Sequence, residues 1–204
     1  MSAPVIPVAG TLGAYHERDW FRPRSRWWGE AEKAGISLLD RDKPFEWSTA
    51  LDGIVGRNGT WQMWGSALTW YAHWMGADPV SLVCHSHGGQ VALYAIAYGL
   101  RVETLVTVAM PPRRDVEIAY EKATRGWKGA KSPRRWVHIY TDERWSIPWQ
   151  RLGGLGDGYI GWKFEMPDAE NIFLPGYTHT SLMDFRLWRE KEWFRFLVDE
   201  QEGG

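Results

Sequence analysis

The segment Pro79-Val-Ser-Leu-Val-Cys-His-Ser-His-Gly-Gly-Gln-Val-Ala-Leu93 decides the fold. Its β-branched, apolar run from Val80 to Cys84 meets a second apolar run, Gln90 to Ala97, with only His85-Ser-His-Gly-Gly89 between them. The first run reads as a buried strand and the second as a helix. So short a connection forces a tight turn with Ser86 at its apex, its hydroxyl exposed above the sheet. The two glycines that follow let the helix pass close to the strand. The turn reads Cys-His-Ser-His-Gly, where the usual serine turn of this kind has glycine in the first position.

Outward from this turn, strands and helices alternate. Val5 to Ala9, Ile36 to Asp40, Val80 to Cys84, Thr104 to Met110, Trp136 to Tyr140 and Asn171 to Leu174 read as six strands, although Pro7 inside the first denies it one N–H. Glu30 to Gly35, a segment with Trp61, Trp64, Leu68, Tyr71 and Met75 at helical spacing and capped by Thr60, the run after Ser86, Asp115 to Thr124 and Asp184 to Leu197 read as helices. The pattern predicts a three-layer α/β/α sandwich around a mostly parallel six-stranded sheet, in one domain spanning 1–204. Residues 144–170, rich in Gly and Trp, read as a small insertion near the site that could form a partial lid. Ligands of such sheets bind beyond the carboxyl ends of the strands. Thr11, Ser86, Asp142 and His179 all follow predicted strand ends, on one edge of the sheet.

Composition narrows the function classes. The 204 residues are 44% apolar, enough for one sizeable core, and the net charge of −1 gives no reason to expect nucleic acid as a partner. One Cys forms no internal disulfide and no paired-Cys zinc site. The start shows no signal-peptide pattern, and no run approaches a membrane span, which reads as a cytoplasmic chain without stable membrane insertion. The 15 Trp are far more than usual; most are expected in the core, the rest lining an apolar pocket.

A serine hydroxyl needs a base to become nucleophilic, usually a His oriented by a carboxylate. Ser86, Asp142 and His179 supply these groups in that chain order. Oxyanion donors are expected from the N–H of His87 and from the loop after the first strand, at Thr11 or Leu12. For the acid, Glu143 and Asp115 are the rivals of Asp142; His179 has none.

With these residues in place, the chain resembles the α/β-hydrolase family, in particular its lipase- and esterase-like members. Val8 to Gly13 looks like the oxyanion segment, with Ala9 where a His is common. Leu82 to Leu93 is similar to the nucleophile segment, Val137 to Asp142 to the acid-bearing strand end, and Leu174 to His179 to the histidine loop. The resemblance implies hydrolysis of a small-molecule carboxylic ester through an acyl-serine intermediate, without metal or organic cofactor. Trp-rich segments at 20–28 and 145–162 suggest short or medium acyl chains, with Leu12, His16, Trp145 and Tyr177 as candidate substrate-binding residues. Acyl transfer, thioester or amide cleavage would use the same triad, and a catalytically silent scaffold binding a small ligand is the alternative of another class. Cys84 reads as a buried, inert residue and His138 as core. His85 and His87, alternating on a tight turn, are expected to point apart rather than share a metal.

Overall fold

A computed structural model describes residues 3–10, 20, 25–40, 44–47, 58–110, 118–119, 121, 133–142 and 165–198. Within them, a parallel sheet of five strands runs in the order β1 (Val5–Val8), β2 (Val80–His85), β3 (Val102–Val108), β4 (Arg135–Tyr140) and β5 (Glu170–Phe173). β2 is an interior strand, with Cys84 paired to Val8 on one side and Thr107 on the other.

The sixth strand expected at residues 36–40 is reduced to a single parallel bridge, Val5 to Leu38, on the outer side of β1. The reason lies in β1. Val5 exchanges two bonds with this segment, its N–H to the Ser37 carbonyl and its carbonyl from the Leu39 N–H. The next backbone group facing the same way belongs to Pro7, which has no N–H, so the ladder stops. Asp40 then turns the chain away at φ +45°.

From Leu38, on that outer side, the chain returns past β1 to form β2, so strand order reverses between β1 and β2. Their carboxyl ends flank the crevice where open parallel sheets bind ligands.

Strand residues alternate between two cores. Ile6, Val8, Leu82 and Cys84 face helices α2 (Asn58–Trp74) and α3 (Gly88–Ala97). Val5, Val83, Val106 and Ile139 face the opposite layer. That layer holds α1 (Arg26–Lys33), α4 (Phe185–Glu190) and two 3-10 turns, Ser181–Met183 and Trp193–Leu197. α1 starts earlier than its sequence pattern suggested because the Ser25 hydroxyl caps it, accepting from the Trp28 N–H at 3.1 Å. α2 likewise starts before Thr60, the expected cap. The single closing helix expected from Asp184 to Leu197 is broken in two by Glu192, left-handed at φ +56°. No helix among the described residues is long and apolar enough to cross a membrane.

Candidate active site

Ser86 is the feature that the local sequence forces most sharply. It leaves β2 with φ +51°, a left-handed conformation that costs a non-glycine residue on the order of 1–3 kcal/mol. Its N–H donates to the Val108 carbonyl at 2.9 Å, and its carbonyl accepts from the Gly89 N–H at 3.1 Å, so the turn is held at both ends. Cys84 does not disturb it. The Cys84 side chain is fully buried among Ile6, Leu82 and the helices, and burial pushes its thiol pKa up, which keeps it protonated and unreactive.

Gly88 explains the small residue after the turn. A Cβ there would lie 2.4 Å from the Val8 carbonyl oxygen and 2.6 Å from that of Ala9. The start of α3 is therefore pressed against the end of β1 at Val8 and Ala9. The Ala9 carbonyl is fixed further by the Trp47 indole, which donates to it at 2.7 Å. Thr11, Leu12, His16, Glu143, Asp115 and Trp145 lie outside the described residues, as does residues 144–164 of the expected insertion.

The two histidines flanking Ser86 do point apart. His85, the last residue of β2, follows the strand's alternation onto the face opposite Cys84, whereas His87 stacks on Trp61 at 5.0 Å between ring centroids. His85 meets His179. Its Nε2–H donates to the His179 carbonyl at 3.0 Å, and the two rings lie 4.5 Å apart. The serine turn and the histidine loop are thus brought together.

His179 is buried, and burial first, then the nearby His85 and His87, holds its pKa well below the ordinary imidazole value. A neutral imidazole is the form in which a base accepts a proton. Its loop is tied from several sides. Thr178 and Ser181 exchange backbone-to-hydroxyl bonds of 2.7 and 2.9 Å. The Thr141 hydroxyl donates to the Tyr177 carbonyl at 2.7 Å. Below, the Trp188 indole donates to the Leu182 carbonyl at 3.0 Å and that of Trp20 to the Met183 carbonyl.

Asp142 belongs to this tethering. It is solvent-exposed, and its Oδ1 accepts from the Gly176 N–H at 3.1 Å, three residues before His179. Neither hydrogen bond nor ion pair joins the Asp142 carboxylate to the His179 ring among the described residues. Tyr177 is half-buried against the aromatic layer. Trp20, Trp27 and Trp28, expected near an acyl pocket, are buried in the core instead. His138 is core, as its place inside a strand suggested, with Nδ1 at 2.8 Å from the Thr107 hydroxyl. Sequence reasoning passed over Thr141, Trp20 and Trp188 as loop anchors, because their partners are backbone carbonyls that leave no trace in a residue pattern. A groove of about 530 Å³ at the opposite edge of the sheet, lined by Pro4, Met75, Asp78, Pro79, Glu103 and Arg134, holds no paired nucleophile and base.

No family model matches this sequence, and no curated protein does either. Solved structures do. The mature lipase BlEst2 of Bacillus licheniformis shares 16% identity, with 97% of this chain and 93% of that one covered at a TM-score of 0.51. A predicted CIB-like hydrolase of Thermoplasma acidophilum reaches a TM-score of 0.55 at 13% identity, covering 97% of this chain and 84% of that one. MGS-MChE2, an α/β hydrolase from a lagoon sediment metagenome of Mar Chica, Morocco, gives 0.52 at 17% identity, covering 96% and 91%. Together with the parallel sheet, its switch point and the serine turn, these likenesses define the class: the chain has the α/β-hydrolase fold.

Proposed function

We propose that the protein is a serine hydrolase of carboxylic esters. The observation that carries the reading is Ser86 itself, held left-handed at the switch point with a buried, neutral His179 brought against its turn. In this reading Ser86 Oγ attacks the ester carbonyl carbon while His179 takes the hydroxyl proton. The oxyanion so formed is held by the N–H of His87 and one from Thr11 or Leu12. Collapse expels the alcohol, protonated by His179, and leaves an acyl-serine. Water then attacks the acyl carbon, again with His179 as base, releasing the acid and free Ser86. Asp142 is the candidate to orient His179. The many aromatic residues favour uncharged, short or medium acyl groups, with Leu12, His16, Trp145 and Tyr177 as candidate contacts. The neighbours named as a lipase and as hydrolases support this reading at the level of fold.

The test uses p-nitrophenyl esters and a fluorophosphonate probe. The wild-type chain should hydrolyse the esters and take one probe at Ser86, and Ser86→Ala should lower kcat by about 10⁴-fold or more. Folded wild-type protein that neither turns over nor labels would sink the proposal and favour a ligand-binding scaffold. Asp142→Asn separates two duties of one side chain, because asparagine keeps the oxygen that accepts from Gly176 and loses only the charge. A fall of about 10⁴-fold marks Asp142 as the triad acid; unchanged kcat leaves it only the loop tether.

A further inference from the structure

We propose that His85 is a positioning residue, whose Nε2–H bond to the His179 carbonyl sets where the His179 imidazole stands relative to Ser86. The inference rests on the reading of His179 as the base. Its physical content comes from the rigidity of what His85 stands on. β2 is paired on both sides, and His85 itself is matched to Val108, so its Cα is fixed by the sheet. The side chain is buried and braced by Trp20, whose ring lies 6.3 Å away at 48°. Trp20 in turn donates to the Met183 carbonyl in the same loop. The acceptor is a carbonyl oxygen, so Nε2 must carry the proton, and the bond reaches across 94 positions of sequence.

Among the described residues, four further tethers of the loop act beside His179. Asp142 and Thr141 hold residues 176 and 177, while Trp188 and Trp20 hold residues 182 and 183. Between them, His85 grips the backbone of residue 179 itself and touches its ring. The same residue is the covalent neighbour of Ser86. One rigid strand end therefore carries the nucleophile and gauges the base, and any shift of the histidine loop relative to Ser86 must strain this bond. Misplacing a reacting group by about 1 Å costs on the order of 10²-fold in rate.

Three variants test the role. His85→Phe keeps a ring and removes the donor; His85→Gln places an amide nitrogen where Nε2 stood; His85→Leu removes the donor with a different shape. Steady-state kinetics on a p-nitrophenyl ester, the rate of fluorophosphonate labelling and the thermal midpoint are measured for each. His85→Phe and His85→Leu should lose about 10- to 100-fold in kcat with KM little changed, and label slower to match. His85→Gln should recover most of that loss, at thermal midpoints like those of His85→Phe. Equal losses in His85→Gln and His85→Phe, or a His85→Phe that labels at the wild-type rate, overturn the proposal. A wild-type chain that the probe leaves unlabelled overturns the serine-hydrolase reading and the role of His85 with it. The two failures are therefore distinguishable.

Discussion

The two faces of the sheet are packed by opposite means. On the α2–α3 face the backbones come close together. A Cβ on Gly65 would lie 2.5 Å from the Tyr94 Cβ and 2.9 Å from the Ala95 nitrogen, and Gly88 is pressed as hard against β1. On the α1–α4 face the space is filled by rings. Trp20 stacks on Trp27 at 5.1 Å, and Trp188 meets Trp20, Trp27 and Trp193 edge-on at 5.3, 5.4 and 5.6 Å. Ser86 is presented by the first face and His179 by the second. Ser86 is thus located by steric exclusion of backbone from backbone. His179 is located by side-chain volume and by hydrogen bonds from indoles and hydroxyls to loop carbonyls. The two methods of placement should fail in different ways.

The largest effect is expected from the aromatic face. Trp188→Ala removes a fully buried ring and the donor to the Leu182 carbonyl, and should lower unfolding free energy by about 3–5 kcal/mol. On the close-packed face the damaging change runs the other way. Gly65→Ala adds one methyl where none fits and should cost about 1–3 kcal/mol by overpacking. Urea unfolding of both variants measures this. If Gly65→Ala proved neutral, the α2–α3 crossing would be looser than its distances say, and the contrast between the faces would collapse.

How much of this was legible in the sequence follows the same divide. The serine turn was readable because strand, turn and helix are contiguous, and because glycine can be recognised as the residue of close approach. His179 could be found by its order in the chain and its place after a strand end. What joins His179 to the rest could not. His85, Thr141 and Trp20 each bond a backbone carbonyl in a distant segment, and Trp188 bonds one six residues before it; nothing in residue identity marks which carbonyl. Asp142 shows the limit of placement by order: it stands after β4 as expected, yet its recorded bond is to the Gly176 N–H rather than to the imidazole. The break at Glu192 was hidden too, since Phe185, Trp188 and Phe196 continue an apolar pattern across a residue that turns left-handed. Pro7 was the opposite case. Its missing N–H signalled in advance that one side of β1 would not be fully laddered.

The aromatic face also carries a pH dependence. His179 is held neutral when folded, with a pKa well below the ordinary 6.5, chiefly by burial. Unfolded, it takes up a proton as pH falls through about 6.5, so the unfolded chain binds more protons than the folded one below that value. Its contribution to stability is therefore complete above about pH 6.5 and declines as pH drops towards the folded value. The slope is at most about 1.4 kcal/mol per pH unit. Urea midpoints between pH 7.5 and 5 should fall in the wild type and fall less in His179→Gln. Parallel profiles for the two proteins would mean that His179 is wetter than its burial suggests.

The smallest effect separates the faces most cleanly, because one substitution is asked of both. Gly29 lies inside α1 on the aromatic side, half-buried, with its N–H already bonded to the Ser25 carbonyl at 3.0 Å. A Cβ there meets nothing within 4 Å, so alanine adds no clash. It does restrict the unfolded backbone and favours the helix, and Gly29→Ala should stabilise the protein by about 0.5–1 kcal/mol. Gly88 begins another helix, and the same change there drives a methyl into the Val8 carbonyl oxygen at 2.4 Å. Gly88→Ala must move α3 off β1, and with it the turn that holds Ser86, so it should lose stability and, on the proposed function, ester hydrolysis. Opposite signs of the two shifts in urea midpoint would show that what fixes Ser86 is the closeness of backbone to backbone rather than helix propensity. If both variants gained stability, α3 would have room to spare at β1, and the steric account of the serine turn would have to be abandoned.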